Sequence, residues 1–229
     1  VNYFIWDAEY NGDCNLSTII GDEQISSMDR RLDEYDTFIR WNEAIPILRK
    51  IQAKHEKTLD STVSGMCPFG LATNFDKIDN IDNPDKVKVY ANKKVGYTQR
   101  SLIQKGKENI DKYKVFIAEA SSGSSVFPDL VLGKPIVAEP RSCCTMTYII
   151  LGVFNNIEQA NNLVSYVKTR LFRFLVLLHK ASHHVSRETY SFVPLVDFNE
   201  TWTDEKLFER YEINQDEQAF IKQMVKEME

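Results

Sequence analysis

The stretch "TYIILGVFNNIEQANNLVSYVKTRLFRFLVLLHK", residues 147–180, decides the fold class. It opens as a β-prone run, Thr147 to Phe154, and changes period at the asparagines that follow. Beyond them Leu163, Tyr166, Val167, Arg170, Leu171, Phe174, Leu175 and Leu178 recur at spacings of three and four, the stripe of a helix with one buried face. Asn155 or Asn156 offers a cap, and Glu158 puts negative charge in the first turn, where the helix dipole favours it. The spacing predicts one long helix from about 156 to 180. Lys168, Arg170 and Arg173 interrupt its apolar residues well short of the roughly 18 that a membrane span needs.

Outward from this strand and helix, short β-like runs alternate with loops rich in Gly, Ser, Asn and Asp: "KVKVY", "KVFIAEA", "PIVAEP" and "SFVPLVDF". From Thr203 onward the chain reads as two short amphipathic helices with Thr203 and Asn214 as caps. At the other end "VNYFIW" alternates aromatic and β-branched residues as a strand does, and an Asn-Gly turn signal follows at Asn11 and Gly12. Residues 13–36 are polar and acidic, and "YDTFIR" (35–40) has the composition of another strand. A helix capped by Asn42 is expected to about His55, with Pro46 tolerated in its first turn. The expected class is α+β: a mixed sheet of short strands, one long central helix, an N-terminal strand and a helical C-terminal tail. The expected divisions are 1–12, 13–60, 61–200 and 201–229.

The 229 residues, 43% hydrophobic and 27% charged, have the composition of a soluble globular protein able to bury a core. The N-terminal residues lack a basic region and a long apolar region, so no secretory leader is expected. Cys14, Cys67, Cys143 and Cys144 show no C-x-x-C pair, which favours a reducing cytoplasm over a disulfide framework. The chain starts at Val1 with an apolar burst and no initiator Met, as a piece of a longer polypeptide would.

Net charge is −5, yet the charge is segregated. Residues 86–114 carry nine Lys and Arg against two acids, and residues 168–196 carry five against one. Residues 197–229 carry four against ten. A local basic patch matters more than the net value for phosphate contact, although solvated surface lysines give the same count.

Few motifs carry chemistry. A bridge between the adjacent Cys143 and Cys144 would strain the peptide between them, and no regularly spaced ligands complete a zinc site, so packing is their expected role. His179 and His183 stand four apart in "HKASHH", the spacing of a metal pair, without the glutamate of H-E-x-x-H. Pro128-Asp129 with Glu139 and Arg141 imitates a nuclease pattern in which two carboxylates hold Mg²⁺. Arg141 replaces the lysine of that pattern and cannot give up a proton, and Pro140 interrupts the strand. Glycine-rich phosphate or dinucleotide loops are absent from the sequence.

Taken in order, "VNYFIWDAEYNGDC", "FIRWNEAIPILRKIQ", "PFGLATNF", "VKVYANKKVGYTQR", "YKVFIAEASSGS", "PIVAEPRSCCTMTYIILGVFNN" and "VKTRLFRFLVLLHKASHHVSRETYSFVPLVDFNETWTDEKLFERY" resemble one family. It is the C-terminal, Taq-like specificity part of the N6-adenine DNA methyltransferases of bacterial restriction–modification systems. The resemblance spans nearly the whole chain and lies in the combination of segments. It implies that residues 1–12 end the sheet of an upstream methyltransferase domain and that a target-recognition domain over 61–200 binds double-stranded DNA. The family's S-adenosylmethionine loop and Asn-Pro-Pro-Tyr tetrapeptide lie upstream; here "NPDK" at 83–86 lacks the second Pro and the Tyr. No catalytic residue and no metal ligand is therefore assigned, and no cofactor is expected on this chain, S-adenosylmethionine belonging to the parent enzyme. Lys93, Lys94, Arg100, Lys105 and Lys107 are the candidates for phosphate contact. Ser121, Ser122, Ser124, Ser125, Arg141, His183, His184 and Arg187 are the candidates for base or groove contact, and Tyr97 stacks or packs. A Mg²⁺-dependent nuclease around Asp129 and Glu139 is the rival. A module that docks a restriction subunit through the acidic tail is a third reading.

Overall fold

A computed structural model describes residues 3–20, 23–79, 83–121 and 126–229. Among these the fold is mixed α+β, with five helices and three small sheets.

The central sheet is β6(Ile136–Ala138)–β5(Tyr113–Ala118)–β8(Tyr148–Phe154), antiparallel throughout. The continuous apolar run "VFIA" in β5 reflects burial on both faces. Val115 and Ile117 point into a large helical core with Ile149 and Leu151 of β8; Phe116 points the other way into a second core with Ala138 and Ile150. The second core is closed by β4(Lys94–Gln99)–β3(Lys86–Ala91)–β7(Ser142–Cys144), in which β3 pairs antiparallel with β4 and parallel with β7. The arrangement is three layers: helices, central sheet, small mixed sheet.

The helical layer is built from α1(Ala44–Gln52), α2(Ile157–Lys168), α3(Arg170–His179), α4(Asp204–Arg210) and α5(Gln215–Met224). Asn156, Thr203 and Asn214 cap α2, α4 and α5 as their sequences predict, and Asn214 forms a reciprocal capping box with Glu217. At Gly152 in β8 any Cβ would lie 2.9 Å from a methyl of Leu163, so glycine is what lets α2 lie close on the central sheet. The acidic tail and α1 contribute Ile45, Leu48, Leu207, Phe208, Tyr211, Ile221 and Val225 to the same core as residues 115–196.

The expected single helix is two. The chain is extended at Thr169, whose hydroxyl donates to Tyr166 O at 2.8 Å and accepts from Phe172 N at 3.2 Å, ending α2 and capping α3. Asp204, thirty-four residues beyond Arg170, accepts from the amides of Arg170 and Leu171, at 3.0 Å each. Arg173, fully buried, donates to the carbonyls of Thr169, Leu130, Lys226 and Lys168. The break is thus satisfied on the α3 side by Asp204 from α4 and on the α2 side by Arg173 of α3.

Other expectations are corrected too. Tyr3 to Trp6 has no pairing partner among the described residues, and its side chains are 78–100% exposed, so its expected place in an upstream sheet remains a proposal. Val1 and Asn2 of that expected strand lie outside the described residues. Within the polar, acidic residues 13–36 the short structure is a hairpin, β1(Cys14–Ile20) with β2(Glu23–Arg30), and the strand expected at 35–40 is irregular. Asn42 does not cap α1, which starts from Glu43; its amide instead donates to Leu16 O and Ser26 Oγ, fastening the hairpin. "SFVPL" makes a single bridge, Thr58 with Pro194, and no strand. Among the described residues no helix is long and apolar enough to cross a membrane.

Candidate nucleic-acid interface

One end of the two sheets gathers several loops. Hydrogen bonds from Thr145 N to Tyr90 O and from Glu119 N to Thr147 O align the ends of β3, β7 and β5 with the start of β8. Across the same end Val185 N donates to Glu119 O and Ser121 N to His183 O, so residues 183–185 lie along 119–121. The β3–β4 hairpin turns here through Asn92 and Lys93, the latter with a φ of 56°, the left-handed conformation of a tight turn.

This end collects Lys93, Lys94, Ser121, His183 and His184, with Arg187 two residues beyond Val185. Lys93 and His183 are exposed. Lys94 donates to Ile78 O at 2.8 Å, and Arg187 Nε donates to Val63 O at 2.9 Å. His184 Nδ1 lies 2.7 Å from a Glu119 carboxylate oxygen. Ser121 donates to Val131 O at 2.9 Å and accepts from the Lys180 ammonium, itself 2.9 Å from Val131 O. Ser122, Ser124 and Ser125 lie outside the described residues.

The remaining candidates are elsewhere. Arg100 forks onto Asp111, 2.9 Å on one arm, and each group strengthens the charge of the other: the arginine rises and the carboxyl falls from their ordinary pKa values, with the hydrogen bond between them the main cause. Arg141, at a φ of 61°, turns back onto the carbonyls of Pro84 and Lys86. Both belong to the opposite end, where β3 and β7 begin, and Lys107 opens the turn that leads to β5 there. Lys105 is exposed, its backbone joined to Phe69 O at 3.3 Å. The expected site thus divides between two ends of the small-sheet lobe.

Two lysines of the basic island that the sequence did not single out share a sheet face with Tyr97. Strand register sets Lys86 opposite Gln99 and Lys88 opposite Tyr97, on the side away from Val87 and Val89 in the core, while Tyr90, opposite Val95, is buried with its ring 5.5 Å from that of Phe116. Lys86 Nζ sits 5.0 Å from the Tyr97 ring centroid and Lys88 Nζ 5.2 Å from that of Tyr90. Period-two alternation in "KVKVYA" carried that signal.

Another cation of the island points inward. Lys114 is fully buried, its ammonium shared among the carbonyls of Asn109, Ile110, Lys112 and Glu139. Burial lowers its pKa to about 8. Cys143 and Cys144 are buried in the same core; burial raises the Cys143 pKa to about 12 and that of Cys144 well above the ordinary thiol value. Buried thiols of this kind are poor nucleophiles.

The rival sites do not assemble. Asp129 is pinned to the C-terminal strap, the residues from Val225 that follow α5, its amide donating to Met224 O at 3.1 Å and its carbonyl accepting from Lys226 N at 2.8 Å. Glu139 lies beyond the other end of β6, next to Lys114, so the nuclease carboxylates are not neighbours. His179 and His183 do not share a helical face, because α3 ends at His179. Among the described residues no group of three His, Cys, Asp or Glu side chains is placed to hold a metal. No protein-family model matches the chain, and no curated protein matches it either.

Proposed function

We propose that this chain is a sequence-specific double-stranded DNA recognition module that serves an N6-adenine methyltransferase domain of the same polypeptide. One observation carries the reading: the β3–β4 hairpin tip with Lys93 and Lys94 and the segments bearing Ser121, His183, His184 and Arg187 meet at one end of two sheets. A B-DNA major groove admits a two-stranded ribbon, lysines at its tip meet phosphates, and loop polar groups beside it meet base edges. The ordered resemblance of the segments to the family supports the same reading. Chemistry is left to the partner domain, since neither the S-adenosylmethionine loop nor the adenine-holding tetrapeptide is in this sequence. A restriction subunit is a further partner on this reading, and the setting is the bacterial cytoplasm.

The test is binding to a randomised duplex pool at several salt concentrations. The expected result is enrichment of one sequence, with log affinity falling linearly in log salt. Lys93→Ala weakens binding to all sequences alike and reduces the salt slope by about 1. His183→Ala changes which sequences are enriched. Absence of both enrichment and salt-dependent binding overturns the reading.

A further inference from the structure

Beside the recognition end lies a cavity of about 230 Å³ between residues 37–41 and the last turn of α3, lined by Phe38, Arg40, Trp41, Leu177, Leu178 and Lys180 among others. The volume falls below the roughly 300–1,000 Å³ of sites for drug-sized ligands and suits a single ring system. Phe38, Trp41, Leu177 and Leu178 give the cavity aromatic and aliphatic walls, and Thr37, His179, Arg40 and Lys180 add polar and charged groups to the lining. Phe38 is 50% exposed, with the Arg30 guanidinium over its ring at 5.4 Å from the centroid, and Trp41 is held edge-on by Phe127 at 5.6 Å between centroids. The Arg40 side chain is exposed at the rim.

Three features select the ligand. The flat aromatic walls favour a planar ring. The end of α3 presents carbonyl oxygens at the negative end of the helix dipole, a setting that suits N–H donors and disfavours a bare phosphate. A cation at the rim then suits an anion attached to the ring and held outside. A nucleobase on its sugar–phosphate backbone has all three properties. Lys180, which lines the cavity, also bonds Ser121 Oγ and Val131 O, so the pocket opens beside the segment already assigned to DNA.

We propose that this pocket takes one unstacked nucleobase of a nucleic-acid strand, stacked on Phe38 and Trp41 with its phosphate towards Arg40. The inference deepens the DNA-recognition reading and rests on it only for the source of the base, an extrahelical base of a duplex or a base of a single strand.

The experiment uses two oligonucleotides carrying 2-aminopurine, one a duplex with the probe as a single-base bulge, the other single-stranded. A fully paired duplex of the same sequence is the control. Quenching of the probe on binding the bulged duplex assigns an extrahelical base; quenching with the single strand alone assigns single-strand capture. Either supports the pocket, provided that Phe38→Ala weakens the quenched complex on the order of ten-fold. The same variant leaves binding of the paired duplex unchanged. A bound but unquenched probe, or quenching that survives both Phe38→Ala and Trp41→Ala, overturns the proposal while the recognition reading stands. Loss of paired-duplex binding in the wild type sinks the recognition reading, and the single-strand arm still decides the pocket.

Discussion

Replacing Arg173 by Met removes a charge but keeps most of the buried volume, and it isolates what the guanidinium does. Its bonds run 3.2 Å to Thr169 O, 3.2 Å to Leu130 O, 2.6 Å to Lys226 O and 2.9 Å to Lys168 O. Thr169 O and Leu130 O each also accept a backbone amide, from Arg173 and Leu132. The larger loss is therefore at Lys168, where α2 ends, and at Lys226, on the C-terminal strap. Lys168 and Lys226 are exposed residues and these two bonds are part-buried, so the cost lies in the lower half of the about 1–3 kcal/mol for an unsatisfied carbonyl, roughly 3 kcal/mol for the two. Part of the guanidinium's attraction is already offset by desolvation, since burial lowers its pKa to about 10. That offset does not reduce the cost of the mutation, because the part-buried carbonyls lose their donor without gaining full access to water. Arg173→Lys keeps a cation whose three donors cannot reach all four acceptors, and an intermediate loss of about 2 kcal/mol is expected. Urea unfolding followed by tryptophan fluorescence reads the difference, with Trp202 buried in the same core as the reporter. The exposed Arg49–Glu34 pair provides the control, where Arg49→Met should cost no more than about 1 kcal/mol. A loss below about 1 kcal/mol for Arg173→Met, equal to the control, would refute the reasoning.

Two further outcomes are expected. Lys114 has a folded pKa of about 8, below its ordinary 10.5, so between these values the unfolded chain binds more protons and stability rises with pH. Cys143, at about 12 when folded, and Cys144 act oppositely once unfolded thiols ionise near 9. In the native chain the two thiols offset most of the Lys114 contribution between pH 8 and pH 9. With Cys143 and Cys144 both replaced by Ala, unfolding free energy should climb by about 1 kcal/mol over that interval, and adding Lys114→Met should abolish the climb; a rise that survives it excludes Lys114 as the cause. Asn42→Ala removes the amide that ties Leu16 O and Ser26 Oγ to α1, at about 1 kcal/mol of global stability. Limited proteolysis should then cut within 14–30 faster than in the wild type, and an unchanged cleavage rate would show that the hairpin is held by other contacts.

What the sequence made legible was local. Caps at Asn156, Thr203 and Asn214 work through bonds spanning three residues, so residue type and spacing are enough to find them. The break at Thr169 was hidden because its causes are distant: Asp204 on α4, and carbonyls at Leu130 and Lys226 that draw Arg173 inward. A periodic apolar stripe continues through it, and no glycine or proline marks the spot. The N-terminal run has strand composition, yet composition supplies no partner strand, and none is present among the described residues. Hairpin β1–β2 was overlooked because only β1 shows contrast, Cys14 and Leu16 alternating with Asn15 and Ser17, while the apolar residues of β2, Ile25 and Met28, fall on opposite faces.

The candidate site was legible as charge and illegible as geometry. Nine cations in residues 86–114 look alike in a sequence, but the fold sorts them by the acceptors it sets nearby. Lys114 meets four carbonyls and is buried, Arg100 meets Asp111, Lys94 meets Ile78 O, and Lys93 at a hairpin tip stays exposed. The sorting also gives the net charge of −5 a direction. The acidic α4 and α5 pack in the helical layer, while the basic hairpin belongs to the small sheet on the far side of the central sheet. With a Debye length of about 8 Å at physiological salt, charges on the two outer layers are screened from one another. A phosphate backbone approaching the hairpin therefore meets a locally basic surface, and the acidic helices turn it away only at the opposite face. A net negative chain arranged this way is compatible with DNA recognition and also restricts it to one orientation.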